Sequence, residues 1–255
     1  MSQYFSHSRF LLLIVYKNKT GFLGAFTGAA MKSFIIRFLR LNCGLFISSV
    51  GIVLMIKANI GYPPWDVFHA GLANTIGITI GMASIMTGLF IVFATIIFGE
   101  KIGIGTLFNM IEIGLFIDLI LFMDILPTAS NFIIGATMMT AGIILLSYGS
   151  YHYIASGFGA GPRDSLMVAV TRKTGLPVGI CRGSIELLTA LAGWRLGGMF
   201  GVGTIVSAFA IGYFIQTTFK LVKFDPTRVK HETLNQTVSA FRIMTVKTIT
   251  KNTSK

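Results

Sequence analysis

Six ionisable side chains carry the chemistry this chain could do, and they fall into two constellations. Asp66 and Asp164 each close a short motif, Gly61-Tyr62-Pro63-Pro64-Trp65-Asp66 and Gly159-Ala160-Gly161-Pro162-Arg163-Asp164, both reading G-x-x-P-x-D. Gly61 and Gly159 suit a tight turn. Pro64 and Pro162 suit a first helical position, where the missing N–H is no loss, and a carboxylate two residues later favours the free N–H groups of the first turn. The plainest role of either aspartate is therefore a helix cap. The functional alternative uses the same physics, because in inverted-repeat transporters short helices aim their N-termini at solute inside the membrane. Here each N-terminus is already partly neutralised by its aspartate, which argues against a simple anion site and leaves room for a cation or a proton. Trp65 stands in one motif where Arg163 stands in the other, so the two ends are not expected to recognise the same group.

The second constellation is Glu112, Arg182 and Glu186. An ionisable group inside a membrane span costs at least about 2.5–3.5 kcal/mol on insertion scales, so each needs a partner, a wet cavity or a role. Arg182 and Glu186 are four apart on one helix face and can pair. Counted from the same side, Arg182 and Glu186 lie roughly 8 and 13 Å deep and Glu112 roughly 15 Å, so all three can share one layer. That layer is either a buried pair with Glu112 snorkelling or hydrogen-bonded, or a polar site on a solute pathway.

Other chemistries find no support in the residues. Cys43 and Cys181 stand alone in apolar segments without a C-x-x-C or histidine neighbour, so no metal or redox site is expected and no cofactor is implied. Gly103-x-Gly105-Thr106 lacks the remaining spacing of a phosphate loop. An intramembrane aspartyl protease needs two carboxylates in contact, whereas Asp66 and Asp164 are expected to start on opposite faces, and there is no G-x-G-D element. No enzymatic activity is expected. The glycine pairs Gly77/Gly81, Gly99/Gly103, Gly175/Gly179 and Gly197/Gly201 read as helix packing or connections.

The elements that position these groups repeat. The two motifs are 98 residues apart, and at that one offset Phe34-Ile35-Ile36 meets Phe132-Ile133-Ile134, Gly44 meets Gly142, Gly51 meets Gly149, and Gly103-x-Gly105-Thr106 meets Gly201-x-Gly203-Thr204. This is a duplicated unit of roughly 85 residues. With 53% apolar and only 12% charged residues and a mean hydropathy of +0.76, it lives in a membrane rather than in water. The net charge of +12 gathers at the chain ends and one internal loop, so it reports orientation and not nucleic-acid binding. Each copy predicts one span, a short helix and two more spans: Phe34–Lys57, Pro64–Thr75, Thr79–Phe98 and Ile102–Met123, then Phe132–Ala155, Pro162–Arg172, Pro177–Leu196 and Phe200–Leu221. The short helices, roughly 18 Å long, cannot cross a core of about 30 Å.

Three crossings per copy is an odd number, so the second copy enters from the opposite side and the halves are inverted repeats of an all-α, six-span protein. The cations agree with a cytoplasmic N-terminus and C-terminus. Lys32, Arg37 and Arg40 at the start, Arg163, Arg172 and Lys173 in the second motif loop, and Lys220, Lys223, Arg228 and Lys230 at the end all fall inside, as the positive-inside rule requires. The connection 124–131 has no Lys or Arg and falls outside, with Lys57 at the edge of the first motif loop and Arg195 a mild exception. Eight spans would place that cation-free connection in the cytoplasm, which favours six. The expected organisation is a leader (1–30), a first repeat (31–123), an external connection (124–131), a second repeat (132–223) and a basic, solvated cytoplasmic tail (224–255). The leader is too interrupted by Lys17 and Lys19 for a signal peptide, and Met31-Lys32 directly before the repeat is the alternative start.

Four stretches, F-I-I-R-F from Phe34, I-K-A-N-I-G-Y-P-P-W-D-V from Ile56, G-P-R-D from Gly161 and K-F-D-P-T-R-V-K-H-E from Lys223, together resemble the YczE/YyaS/YitT family of bacterial integral membrane proteins, over about Met31–Leu234. The resemblance implies a bacterial plasma-membrane protein of a family described as uncharacterised or as a permease, and carries no catalytic residues. Two readings follow: a transporter or channel for an unknown small solute with its pathway between the repeats, or a non-transport accessory or scaffold protein in the bilayer. Association into an oligomer or with another membrane protein stays open.

Overall fold

The computed structural model describes residues 28–237, with the side chains of 28–31 and of Thr227 left aside; most of the leader and the tail beyond 237 lie outside the described residues. The chain divides into two compact units, Leu39–Leu234 and a second made of Met1–Phe38 with Asn235–Lys255. In the second unit, Phe34 and Phe38 stack one helical turn apart at 6.2 Å.

All described regular structure is helical. The order is α1 (Gly28–Lys57), α2 (Pro64–Ile76), α3 (Ile80–Ile97), α4 (Ile104–Met123), α5 (Phe132–Ala155), α6 (Pro162–Thr174), α7 (Val178–Arg195), α8 (Val202–Leu221) and a 3-10 turn at Pro226–Arg228. Local chemistry sets the boundaries. Thr79 and Asn131 cap α3 and α5 by accepting from Met82 N at 3.1 Å and Ile134 N at 2.9 Å, and α2 and α6 begin on prolines and stop at left-handed Gly77 and Gly175. α1 begins three residues before Met31, so the expected boundary of the leader falls inside a helix.

Five helices, α1, α3, α4, α5 and α8, are each long and apolar enough to cross a bilayer. The expected sixth span, α7, carries Arg182, Glu186 and Arg195 and reaches that standard only together with α6, from which it bends by 120°. The protein is thus a multi-pass membrane protein with five or six spans. Phe90, Phe122, Phe209 and Ile133 point outward, where lipid chains replace water as their solvent.

Inside, helices approach through glycine. In α1 and α5, a Cβ on Gly51 would meet Gly142 O at 2.6 Å, and one on Gly44 would meet Gly149 O at 2.8 Å. The order of these contacts makes the two helices antiparallel, with their backbones in close approach at the glycines. Beside this crossing Ile52, Val53, Met55 and Ile56 of α1 pack with Ile117 and Ile120 of α4 and Met139 and Ile143 of α5. α3 and α4 meet at Gly81 and Gly114, and Asp118, which the sequence reading passed over, accepts from Gly81 N at 2.8 Å and binds the Thr79 hydroxyl at 2.5 Å, so it secures the start of α3 from the neighbouring helix.

The two halves interlock by exchanging partners. Gly203 N donates to Ile60 O at 2.8 Å, and their counterparts at the 98-residue offset, Gly105 and Phe158, are joined in the same way, Gly105 N donating to Phe158 O at 2.8 Å. The pattern continues at the far ends of the short helices, where Asn74 of α2 donates to Gly197 O at 3.3 Å and Arg172 of α6 donates to Phe98 O at 2.6 Å. Each motif loop is therefore seated on the other half of the chain.

Candidate functional site

The two motif loops need their glycines. Gly61 and Gly159 adopt φ of 111° and 130°, a region side chains avoid. An added Cβ would also strike Gly201 N at 2.6 Å in one case and Gly103 Cα at 2.9 Å in the other. Thr106 fastens the second loop by donating to Ala160 O at 2.6 Å. With the loops so held, Pro64 and Pro162, the first residues of α2 and α6, both line one cavity of about 320 Å³.

That cavity collects most of the ionisable groups singled out by sequence. Asp66, Arg163, Asp164, Arg182 and Glu186 all line it. The expectation that Asp66 and Asp164 lie at opposite ends of a pathway is corrected: the short helices enter toward each other, and the Arg163 guanidinium lies over the Trp65 ring at 5.0 Å. Trp65 and Arg163, equivalent positions of the two motifs, are thus in contact, a cation on an aromatic face. Arg182 Nε donates to Glu186 Oε1 at 2.9 Å, forming the expected i,i+4 pair.

Glu112 is not brought to this cluster. Asn109 and Ile113 of α4 face the cavity, and Glu112 is about 100° round the helix from Ile113. Its Oε2 is buried without a hydrogen bond. Depth placed Glu112 in the same layer as Arg182, but depth says nothing about azimuth.

Among the cavity residues that escaped the sequence reading are three with polar side chains other than simple hydroxyls. Tyr153 donates its hydroxyl to Asp164 Oδ2 at 2.7 Å, Asn109 lines the wall, and His69 lies one turn after Asp66. Of these, only His69 had a legible signal, its i,i+3 spacing from Asp66. Asp66 and His69 are 2% and 1% exposed. His69 Nδ1 stands 3.3 Å from Asp66 Oδ1, so the two buried side chains face each other within ion-pair range. Likewise Asp164 has Tyr153, and Glu186 has Arg182. Ser48, Ser84, Thr87 and Ser150 add hydroxyls, and Ile52, Met55 and Ile91 make much of the remaining wall apolar. Among the described residues no three His, Cys, Asp or Glu side chains converge to hold a metal ion.

The residues that form this cavity all fall within one sequence family. A family of unknown function, DUF6198, matches residues 35–220. The chain belongs to this family. It is 38% identical over 187 residues to the uncharacterized membrane protein YczE of Bacillus subtilis (strain 168), covering 72% of this chain and 86% of that one. It is 32% identical over 180 residues to an uncharacterized protein of Haemophilus influenzae (70% and 81% covered), and 23% identical over 190 residues to the uncharacterized protein YyaS of B. subtilis (73% and 94% covered). No solved structure matches the chain.

The DUF6198 match ends before a segment that the sequence reading assigned to a solvated tail. This is corrected for residues up to 234: Glu232 N donates to Gly157 O at 2.8 Å and Leu234 N to Ile102 O at 2.9 Å. These bonds tie the chain after α8 to the loop that precedes α6 and to the connection between α3 and α4. His231, in this strap, has its pKa lowered by burial, with the Asp164 carboxylate pulling the other way. In the first motif loop of the DUF6198 chain, Tyr62 is raised above the ordinary phenol value, chiefly by burial and against the pull of Lys57.

Proposed function

We propose that the protein is a permease or channel for a small solute in the bacterial plasma membrane, built from two inverted repeats of three crossings, with both termini cytoplasmic. The observation that carries this reading is the convergence of two helix N-termini on one cavity that holds five charged side chains, Asp66, Arg163, Asp164, Arg182 and Glu186, inside a bundle of apolar spans. Each short helix of 13 residues covers roughly 20 Å, too little to cross, and half-helices that stop at mid-membrane form the binding sites of inverted-repeat transporters. The exchanged contacts at a 98-residue offset and the antiparallel α1/α5 crossing support the inverted repeat, and the cation distribution supports the orientation. The repeat interface is also where two halves could rock against each other and expose the cavity to either side in turn.

Arg163 lies within electrostatic reach of both Asp66 and Asp164, so the two motif carboxylates share one cation. Flux of small ions and metabolites into proteoliposomes tests the proposal. Solute uptake that Asp66→Asn abolishes at normal membrane abundance is the expected result. No flux across the panel, together with co-purification of a second membrane protein, would instead favour an accessory role.

A further inference from the structure

We infer that the cavity takes a compact zwitterion, an amino carboxylate whose carboxylate is held by Arg163 and whose ammonium meets the acidic groups near it, Asp164 and Glu186. This deepens the permease reading and rests on it for the solute's passage, though not for its binding. Which polar groups of the cavity are open to a solute decides what the solute must carry. Asp66 Oδ1 and His69 Nδ1 face each other at 3.3 Å and are enclosed, so they serve one another. Ser48 Oγ is enclosed as well, turned into the α1/α5 crossing against Gly149. Thr87 donates its hydroxyl to Ala83 O at 2.7 Å.

Arg163 is different. Its guanidinium lies over the Trp65 ring at 5.0 Å, a contact that leaves its N–H donors unused, and it forms no hydrogen bond or ion pair among the described residues. Asp66, Asp164 and Glu186 act on it only through space. A guanidinium does not give up its proton in a protein, so inside the membrane it needs an acceptor that the chain does not bring. A carboxylate meets that need, because its paired oxygens match the planar fork of donors.

A bare anion does not suit the rest of the cavity. Of the lining groups charged at neutral pH, three are carboxylates, Asp66, Asp164 and Glu186, and two are guanidinium groups, Arg163 and Arg182. An added anion would deepen that negative excess where the dielectric is low, whereas an ammonium on the same solute offsets the added charge. Acceptors for it are at hand. Asp164 Oδ2 is bonded to Tyr153 at 2.7 Å and Glu186 Oε1 to Arg182 at 2.9 Å, and the second oxygen of each is neither bonded nor enclosed. Asn109, Ser84 and Ser150 carry both donors and acceptors and so favour neither end. The volume of about 320 Å³, at the small end of ligand sites, sets the size.

Trp65 reports occupancy, since a carboxylate drawn onto Arg163 changes the charge lying over the indole. The chain has 2 tryptophans, and Trp194→Phe, at an exposed position near the end of α7, leaves Trp65 alone. The test titrates this single-tryptophan protein in detergent, at neutral pH and fixed ionic strength. The probes are glycine, β-alanine and 4-aminobutyrate, which space their charges differently, and butyrate and butylammonium, which carry one charge each. A saturable change in Trp65 fluorescence is expected with at least one zwitterion, at a concentration at least about tenfold below that needed for either single-charge probe, which leaves one end of the site unanswered.

Arg163→Lys should weaken binding of that zwitterion at least about tenfold, since lysine keeps the charge and loses the fork. Equilibrium dialysis of the labelled zwitterion reads this, because the substitution also alters the surroundings of Trp65. Asp164→Asn together with Glu186→Gln should erase the preference over butyrate. Where a variant does not fold, the order of the probes in the wild-type protein, read as shifts of its unfolding midpoint, carries the test. Butyrate or butylammonium binding as tightly as every zwitterion overturns the inference, as does the absence of zwitterion binding. Zwitterion binding unchanged by Arg163→Lys, or a preference over butyrate that survives the double substitution, also overturns it. Binding without flux leaves the zwitterion site standing and removes the permease; flux of another solute with no zwitterion bound does the reverse.

Discussion

The α1/α5 crossing makes a quantitative demand on Gly51. A Cβ there would sit 2.6 Å from Gly142 O and 2.8 Å from Leu146 N, against the 3.4–4 Å of ordinary contact. Both obstacles are backbone atoms, so no side chain can swing away and the helices must part by most of an ångström. Overpacking of this kind costs about 1–3 kcal/mol, and the absence of any yielding atom places Gly51→Ala near the top of that range. Alanine recovers up to about 1 kcal/mol through its higher helix propensity. Gly183→Ala isolates that gain, because a Cβ at Gly183, inside α7, meets nothing within 4 Å. The difference in stability between the two variants should be about 2–3 kcal/mol, read from reversible unfolding in mixed micelles of rising dodecyl sulfate content followed by far-ultraviolet circular dichroism. Equal stability of Gly51→Ala and Gly183→Ala would refute the close crossing. So would a large loss at Gly183 with none at Gly51.

Removing Arg182 alone should lower thermal stability and expression more than replacing Arg182 and Glu186 together by methionine, because the single change strands a carboxylate that is 15% exposed; equal losses would count against the pair. In a background lacking Cys43 and Cys181, a cysteine at Thr128 should react with an impermeant maleimide in intact cells, and labelling only after permeabilisation would reverse the proposed orientation. Burial holds the folded-state pKa of His231 below its ordinary 6.5, so docking of the strap is fully supported above that value and weakens as pH falls through the lowered pKa. Amide exchange at Glu232 and Leu234 should accordingly speed up on acidification, and His231→Gln should flatten the response; a pH dependence unchanged in that variant would point to another group.

Much of the helical layout was legible because hydrophobic length and helix-start chemistry are local properties. Phe132–Ala155 appears with the expected ends, and the two short helices begin at Pro64 and Pro162 as the proline and aspartate spacing predicts. The Arg182–Glu186 pair was legible for the same reason, since a four-residue spacing on one helix determines which side chains can meet. Glu112 marks the limit. Its depth along α4 follows from counting residues, but whether it faces the cavity, a neighbouring helix or lipid depends on the rotation of α4 against its partners. Tyr153 and Asp118 escaped for a related reason: each acts on an element far away in sequence, Tyr153 on α6 and Asp118 on the start of α3.

The sequence by itself determined a membrane protein with apolar helices of spanning length, two short helices and a 98-residue self-match, because burial cost, turn formation and helix initiation act on neighbouring residues. Only the tertiary structure decided that the two motifs meet at one cavity, that Arg163 lies over Trp65, and that Asp66 and His69 are buried together. A loop's sequence states that the chain turns. How far the next helix leans back into the bundle is set by what the loop is seated on, here Gly201 and Gly203 for one motif and Gly103 and Gly105 for the other. Those contacts lie in the opposite half of the chain, so the position of each site residue is a property of the other half.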